Sequence, residues 1–272
     1  MSFIGNPWTF ATSYIEMYFG DQKLSSGSGF FWTHAEKIFL VSNWHNFSGL
    51  NPSTDQPISN TGGRPDRLIF TCFRKDGDED KSGFYSLSVV PKKAVLCEFD
   101  FSRPRWLEHP RLGRAVDIAV IDVSEVVRGL QINCVNVIEA DAVLESTPSQ
   151  EVFILGFPLG LLSNVPTPIW KKGSVATEPS YDPNGVPCIY VDTASRSGMS
   201  GSVVIARHVV VGTHVTMKDG ANTQPYLYAI KDVVLGVYSG RLGADEFKAQ
   251  LGIVWKRNVL EETIKNGVAP RI

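Results

Sequence analysis

Apolar positions fall in short runs separated by clusters of Gly, Pro, Asn, Ser and Asp, and most of these runs are rich in β-branched or aromatic residues. This pattern predicts strands near 29–32, 37–42, 67–73, 84–90, 93–99 and 118–122, with turn-rich stretches at 48–65, 76–82 and 104–113. A second series follows at 152–155, 169–177, 187–191, 202–206, 209–217, 226–230 and 233–238. A helical period appears chiefly near the end, where Val259, Leu260 and Ile264 share a face over 257–265, with Gly267 as a stop and Pro270 beyond it. A second short helix is expected at 244–250. Many short strands with regular turns indicate an all-β sandwich or barrel architecture. The segment 133–147 is the natural hinge, giving an N-terminal unit over 1–132 and a C-terminal unit over 148–272 that work as one.

At 272 residues, 43% hydrophobic and 20% charged, the chain can bury a sizeable core without a disulfide or metal staple. A net charge of −2 and a pI near 6.2, with no basic stripe, argue against a nucleic-acid partner. The first 18 residues lack the charged start and apolar run of a secretory signal, and no stretch approaches the roughly 20 apolar residues of a membrane span. The four cysteines, Cys72, Cys97, Cys134 and Cys188, are scattered without C-x-x-C spacing, which reads as buried thiols rather than a metal site. A cytoplasmic protein with no membrane contact is expected.

Three segments carry candidate chemistry. Ser197-Gly198-Met199-Ser200-Gly201-Ser202 places a serine between small residues, as a nucleophile turn needs for an exposed hydroxyl and converging backbone N–H groups; an ordinary Gly/Ser turn has the same look. His45 lies just past the run 37–42. Asp117 sits inside the apolar run Ala115–Ile121, where a buried carboxylate needs a partner such as a histidine N–H. Taken singly, a structural histidine and a capping aspartate are the plainer readings.

In the order His45, Asp117, Ser200 these segments resemble the chymotrypsin/trypsin superfamily, most closely its bacterial branch that includes the HtrA-type proteases. Ser26-Gly27-Ser28-Gly29-Phe30-Phe31, Ile154-Leu155-Gly156-Phe157-Pro158, Val191-Asp192-Thr193-Ala194 and Leu251-Gly252-Ile253-Val254-Trp255 resemble further family segments in the family's order, spanning roughly 26–267. The resemblance implies two six-stranded antiparallel barrels with a C-terminal helix. It implies a serine endopeptidase acting on protein or peptide substrates through His45, Asp117 and Ser200, with the amides of Gly198 and Ser200 as the oxyanion hole and no cofactor or metal. No PDZ domain is expected after the protease segment.

The sequence departs from the digestive members at Met199, where they carry an activating Asp, so control is expected from loop ordering or a regulatory protein partner. Ala194 would stand at the base of the primary pocket, beside Ser195, and offers no acid to select Arg or Lys. Two segments compete for the substrate-binding strand: 209–217, with His214, and 233–240, with Tyr238, Ser239 and Gly240. In the second case 201–217 and 224–238 form an extended hairpin and His214 lies outside the pocket. His34, His109 and His208 read as surface or structural. The alternatives are a pseudoprotease or binding module that keeps the fold without turnover, and an esterase; Gly198-Met199-Ser200-Gly201-Ser202 lacks the second glycine of G-x-S-x-G.

Overall fold

A computed structural model describes residues 6–76, 86–97, 103–139, 144–160, 166–194, 196–211, 214–215, 224–225, 228–242 and 250–270. The described residues are mostly β. Its first half holds α1 (Pro7–Phe10), β1 (Thr12–Phe19), β2 (Gln22–His34), β3 (Lys37–Ser42), α2 (Trp44–Ser48), β4 (Arg67–Asp76), β5 (Ser86–Val95), β6 (Leu107–Glu108) and β7 (Ala119–Asp122). After α3 (Val135–Ile138) come β8 (Glu151–Gly156), β9 (Ile169–Val175), β10 (Cys188–Asp192), β11 (Val203–Val211), β12 (His214–Val215), β13 (Gln224–Pro225), β14 (Tyr228–Arg241), β15 (Leu251–Lys256) and α4 (Arg257–Asn266).

The first seven strands form one antiparallel sheet in the order β5-β4-β1-β2-β3-β7-β6, and the second half closes a six-stranded barrel in the order β10-β15-β14-β11-β8-β9. The first sheet has seven strands rather than the expected six because Leu107 and Glu108 add a two-residue edge to β7. The sequence pattern missed β1, whose positions Tyr14, Glu16 and Tyr18 mix polar and aromatic residues on one face. Glu16 accepts hydrogen bonds from both tyrosine hydroxyls and pairs with Lys23, so this face is a polar cluster and not a core stripe.

The predicted segments 202–206 and 209–217 are largely one strand, as are 226–230 and 233–238. The apparent break at Arg207-His208 is bridged across the hairpin. Arg207 stands opposite Asp232, binds it through two hydrogen bonds of 2.8 Å, and lies 4.6 Å over the Phe153 ring. Pairing runs from Val203↔Val237 to Val211↔Tyr228 and resumes at His214↔Pro225, which is the extended hairpin expected of the second alternative. The expected 244–250 helix lies almost wholly outside the described residues.

Among the described residues, three apolar clusters hold the fold. One lies inside the first half, around Ile15, Leu40, Phe47 and Trp106, and one inside the barrel, around Ile154, Val191, Met199 and Tyr238. The third joins the halves: Phe30, Trp32, Val41 and Ile118 pack with Leu155, Val203, Ile205, Val237 and Trp255, and with Val259, Leu260 and Ile264 of α4. At roughly 1.5–3 kcal/mol per large apolar side chain removed from water, this cluster is what fixes the halves together. The stop at Gly267 works through close packing, since a Cβ there would lie 2.2 Å from the Thr263 carbonyl and 2.9 Å from Leu107. Its φ of −56° is ordinary.

Candidate active site

β3 ends at Ser42 and α2 begins at Trp44, so His45 is carried on the first turn of a short helix beside the sheet edge. The amide of Asn43 donates to the Asp117 carbonyl at 2.6 Å, tying the helix start to the segment that leads into β7. The Asp117 side chain is only 5% exposed and its carboxylate is fully engaged. Oδ1 accepts the His45 backbone N–H at 2.9 Å; Oδ2 accepts from His45 Nδ1 at 2.6 Å and from Ser239 Oγ at 2.5 Å. Three donors offset the cost of burying the charge. With Nδ1–H committed to the carboxylate, the neutral imidazole presents the Nε2 lone pair outward. Burial pulls the His45 pKa down, but the adjacent Asp117 charge and hydrogen bond outweigh it, so the net shift is upward.

Ser200 sits on a turn that only glycines can make. Gly198 and Gly201 have φ of +91° and +88°. A Cβ at Gly198 would lie 2.5 Å from the Phe157 carbonyl, and one at Gly201 2.1 Å from the Ser28 carbonyl. Met199 points the other way and is wholly buried in the barrel core. The peptide planes on either side are pinned: Leu159 N–H donates to Ser197 O at 2.7 Å and Ser202 N–H to Met199 O at 3.1 Å. In a trans peptide the N–H opposes the C=O, so these bonds orient the Gly198 and Ser200 amides. Neither amide donates to a backbone carbonyl among the described residues.

The first half reaches into this turn. Fully buried Ser28 donates from its hydroxyl to Gly198 O (2.7 Å), accepts Phe157 N–H (2.9 Å), and donates its own N–H to Ser200 O (3.0 Å). Ser42 Oγ donates to the Ser28 carbonyl (2.8 Å), and the Asn46 amide donates to both Ser42 Oγ (2.9 Å) and Ser200 O (3.2 Å). Sequence reasoning missed Ser28, Ser42, Asn43 and Asn46 as site residues. The available signal was the run of small residues at 25–29: a Cβ on Gly27 would lie 2.9 Å from the Asn46 amide.

His45 and Ser200 together line two clefts. One, of about 410 Å³, includes Leu24, Ser26, Asn46, Ile58 and Pro65; the other, of about 540 Å³, includes Asn51, Ile58, Arg114, Asp117, Ser239, Ile253 and Trp255. The end of β14 runs beside the serine: a Cβ on Gly240 would stand 3.9 Å from Ser200 Oγ. β11 stops pairing at Val203↔Val237; beyond it Gly240 and Arg241 pair with Ile253 and Gly252 of β15, and Ser239 falls at the register shift between Tyr238 and Gly240.

The other candidates fall differently. Tyr238 does not face the clefts: its side chain is wholly buried, its carbonyl accepts Gly201 N–H and its N–H donates to Ser202 O, so it seats the turn that carries Ser200. His214 is carried away by the register, since 203 to 211 alone spans about 25 Å of strand; its side chain lies outside the described residues. Ala194 follows β10 and is partly exposed, and Ser195 lies outside the described residues. His34 is exposed; His109 is buried, accepts the Arg111 and Leu112 amides and meets Glu262 of α4 at 3.2 Å. Among the described residues no group of three or more His, Cys, Asp or Glu could hold a metal, and no helix is long and apolar enough to cross a membrane.

No protein-family model and no curated protein matches the chain. Among solved structures it is similar to the serine endoprotease from Yersinia pestis, with a TM-score of 0.52 and 10% identity over 94% of this chain. The fold is a chymotrypsin-type double barrel. The match covers 62% of that protease, so the likeness concerns architecture alone.

Proposed function

We propose that the protein is a serine endopeptidase in which Asp117, His45 and Ser200 act as a triad. The observation that carries this reading is the Asp117–His45 pair: a buried, three-fold bonded carboxylate on Nδ1, with Ser200 in the same clefts on a turn no other residue type could replace. His45 Nε2 takes the Ser200 proton as Oγ attacks the substrate carbonyl. The resulting oxyanion accepts from the Gly198 and Ser200 amides, each worth about 3 kcal/mol of barrel-held barrier lowering in such sites. His45 then protonates the leaving amine, and water attacks the acyl-enzyme with His45 again as base. The acyl side of the substrate lies beside Ser239 and Gly240, next to the Ser200 hydroxyl.

Ala194 gives the pocket no acid, so Arg and Lys are disfavoured. Met199, buried where an ion pair would otherwise order the turn, supports a site that forms without zymogen cleavage; regulation falls to a protein partner or substrate. The four cysteines are buried outside disulfides, in keeping with a reducing, cytoplasmic setting. A pseudoprotease is the second reading, and the net of bonds around the Asp117 carboxylate weighs against it, since a dead site has no need of them. The test is covalent labelling by a fluorophosphonate: wild type reacts, while Ser200→Ala and His45→Ala do not. A wild-type protein that stays unlabelled, with and without candidate partners, sinks the reading.

A further inference from the structure

We infer that Asn46 is a positioning residue whose carboxamide, seated in the space left by Gly27, fixes where Ser200 stands relative to His45. The inference rests on the peptidase reading above. Asn46 follows His45 on α2 and is 6% exposed. The backbone of that helix is held without the Asn46 side chain. Asn46 N–H donates to Asn43 O (3.1 Å), Gly49 N–H to His45 O (3.0 Å) and His45 N–H to Asp117 Oδ1 (2.9 Å).

The side chain itself crosses to the other half. Its Nδ2 lies 2.9 Å from Ser42 Oγ and 3.2 Å from Ser200 O. Ser42 has one hydroxyl proton and places it on the Ser28 carbonyl at 2.8 Å, so toward Asn46 it can only accept. The Ser200 carbonyl is an acceptor as well. Both contacts therefore demand N–H, which fixes the orientation of the amide and uses both of its protons. A side chain one residue from the base thus grips the peptide of the serine that the base must reach. Ser200 O also accepts Ser28 N–H at 3.0 Å, so trimming Asn46 leaves neither this carbonyl nor the Ser42 hydroxyl without a partner. What trimming removes is the direct tie between α2 and Ser200.

Gly27, on β2 opposite Ile15, makes room for that tie. A Cβ there would stand 2.9 Å from Asn46 Nδ2 and 3.3 Å from its Cγ and Oδ1. Its φ is not positive, so the demand on this position is space and not backbone conformation. Proton transfer needs His45 Nε2 within hydrogen-bond reach of Ser200 Oγ. A displacement of about 1 Å in such a pair can cost on the order of 100-fold in rate.

The experiment measures fluorophosphonate labelling of the intact protein against probe concentration and pH, with a thermal melt of each variant. In Asn46→Ala the saturating rate should fall about 10- to 100-fold. The half-saturating concentration should stay within about 2-fold, and the pH midpoint should not move, because the Asp117–His45 pair is untouched. Gly27→Ala keeps the asparagine but displaces it, and tests the same tie should Asn46→Ala fold poorly; it too should slow labelling. The double variant should be no slower than Asn46→Ala, since the added methyl then has nothing to displace. A saturating rate in both folded single variants equal to wild type, a shifted midpoint in Asn46→Ala, or losses that multiply in the double variant each overturn the role of Asn46 and leave the serine site standing. No labelling of the wild type removes both.

Discussion

The hydroxyl of Ser28 donates to the carbonyl of Gly198 at 2.7 Å, joining residues 170 apart in sequence and on opposite halves of the molecule. The hydroxyl also accepts Phe157 N–H, and the Ser28 backbone N–H donates to Ser200 O, so one buried residue is the meeting point of β2, the end of β8 and the turn that carries Ser200. Ser28→Ala leaves a buried N–H and a buried C=O without partners, at a cost of about 1–3 kcal/mol. Denaturant unfolding should show that loss. Fluorophosphonate labelling should slow more than the stability change alone explains, because the Gly198 peptide is no longer held. An undiminished labelling rate in a folded Ser28→Ala protein contradicts this account.

The raised pKa of His45 sets the pH profile. The general base must be neutral, so the labelling rate climbs with pH and its midpoint lies above the ordinary histidine value of 6.5. The linked stability runs the other way: the pairing of His45 with Asp117 stabilises fully below the unfolded pKa and is lost as pH rises through the folded one. Asp117→Asn removes the charge that raises the pKa, leaves burial in control, and should move the midpoint down while lowering the rate by about 10⁴. A midpoint that does not move would show that Asp117 does not govern the imidazole.

Met199→Asp puts a charge into the cluster of Ile154, Val191, Val204 and Tyr238. Among the described residues that cluster holds no cation, and the cost should exceed about 3 kcal/mol. Met199→Leu, close in volume, should cost less than about 1.5 kcal/mol and keep labelling. Thermal melts of the two proteins separate these outcomes.

All four cysteines are buried, and burial pushes the thiols of Cys72 and Cys134 up to about 12. At neutral pH an exchange reagent should find almost no reactive thiol in the native protein and four on unfolding. Rapid modification of any thiol in the folded state would mean that its surroundings open readily.

The all-β class and α4 were legible because both follow from periodicity: strands from short β-branched runs, the helix from Val259, Leu260 and Ile264. Asp117 and Ser200 drew notice as a charge in an apolar run and a serine among small residues, and His45 by its place just past a strand, but it was their order along the chain that singled the three out together. β1 was hidden because its polar face is satisfied by the Glu16–Tyr14–Tyr18–Lys23 cluster, which no window of alternation reveals. The unity of β11 and of β14 was hidden because Arg207 and Asp232 look like turn residues until they face each other. Ser28 was illegible for the same reason at longer range: its partners are supplied only by the docking of the halves. The relation of 209–217 to 233–240 likewise needed register, which pairs them in one hairpin, carries His214 outward and brings Ser239 onto Asp117.

The cluster that joins Phe30, Trp32 and Val41 to Val203, Val237 and Leu260 also bears on how the chain can be divided. A gene cut between 139 and 144 yields two pieces, each carrying an uncovered aromatic and aliphatic face and only part of the Asp117, His45 and Ser200 set. Expressed apart, such pieces should aggregate; expressed together, they should find each other and regain fluorophosphonate reactivity, which turns the protein into a split reporter of its own reassembly.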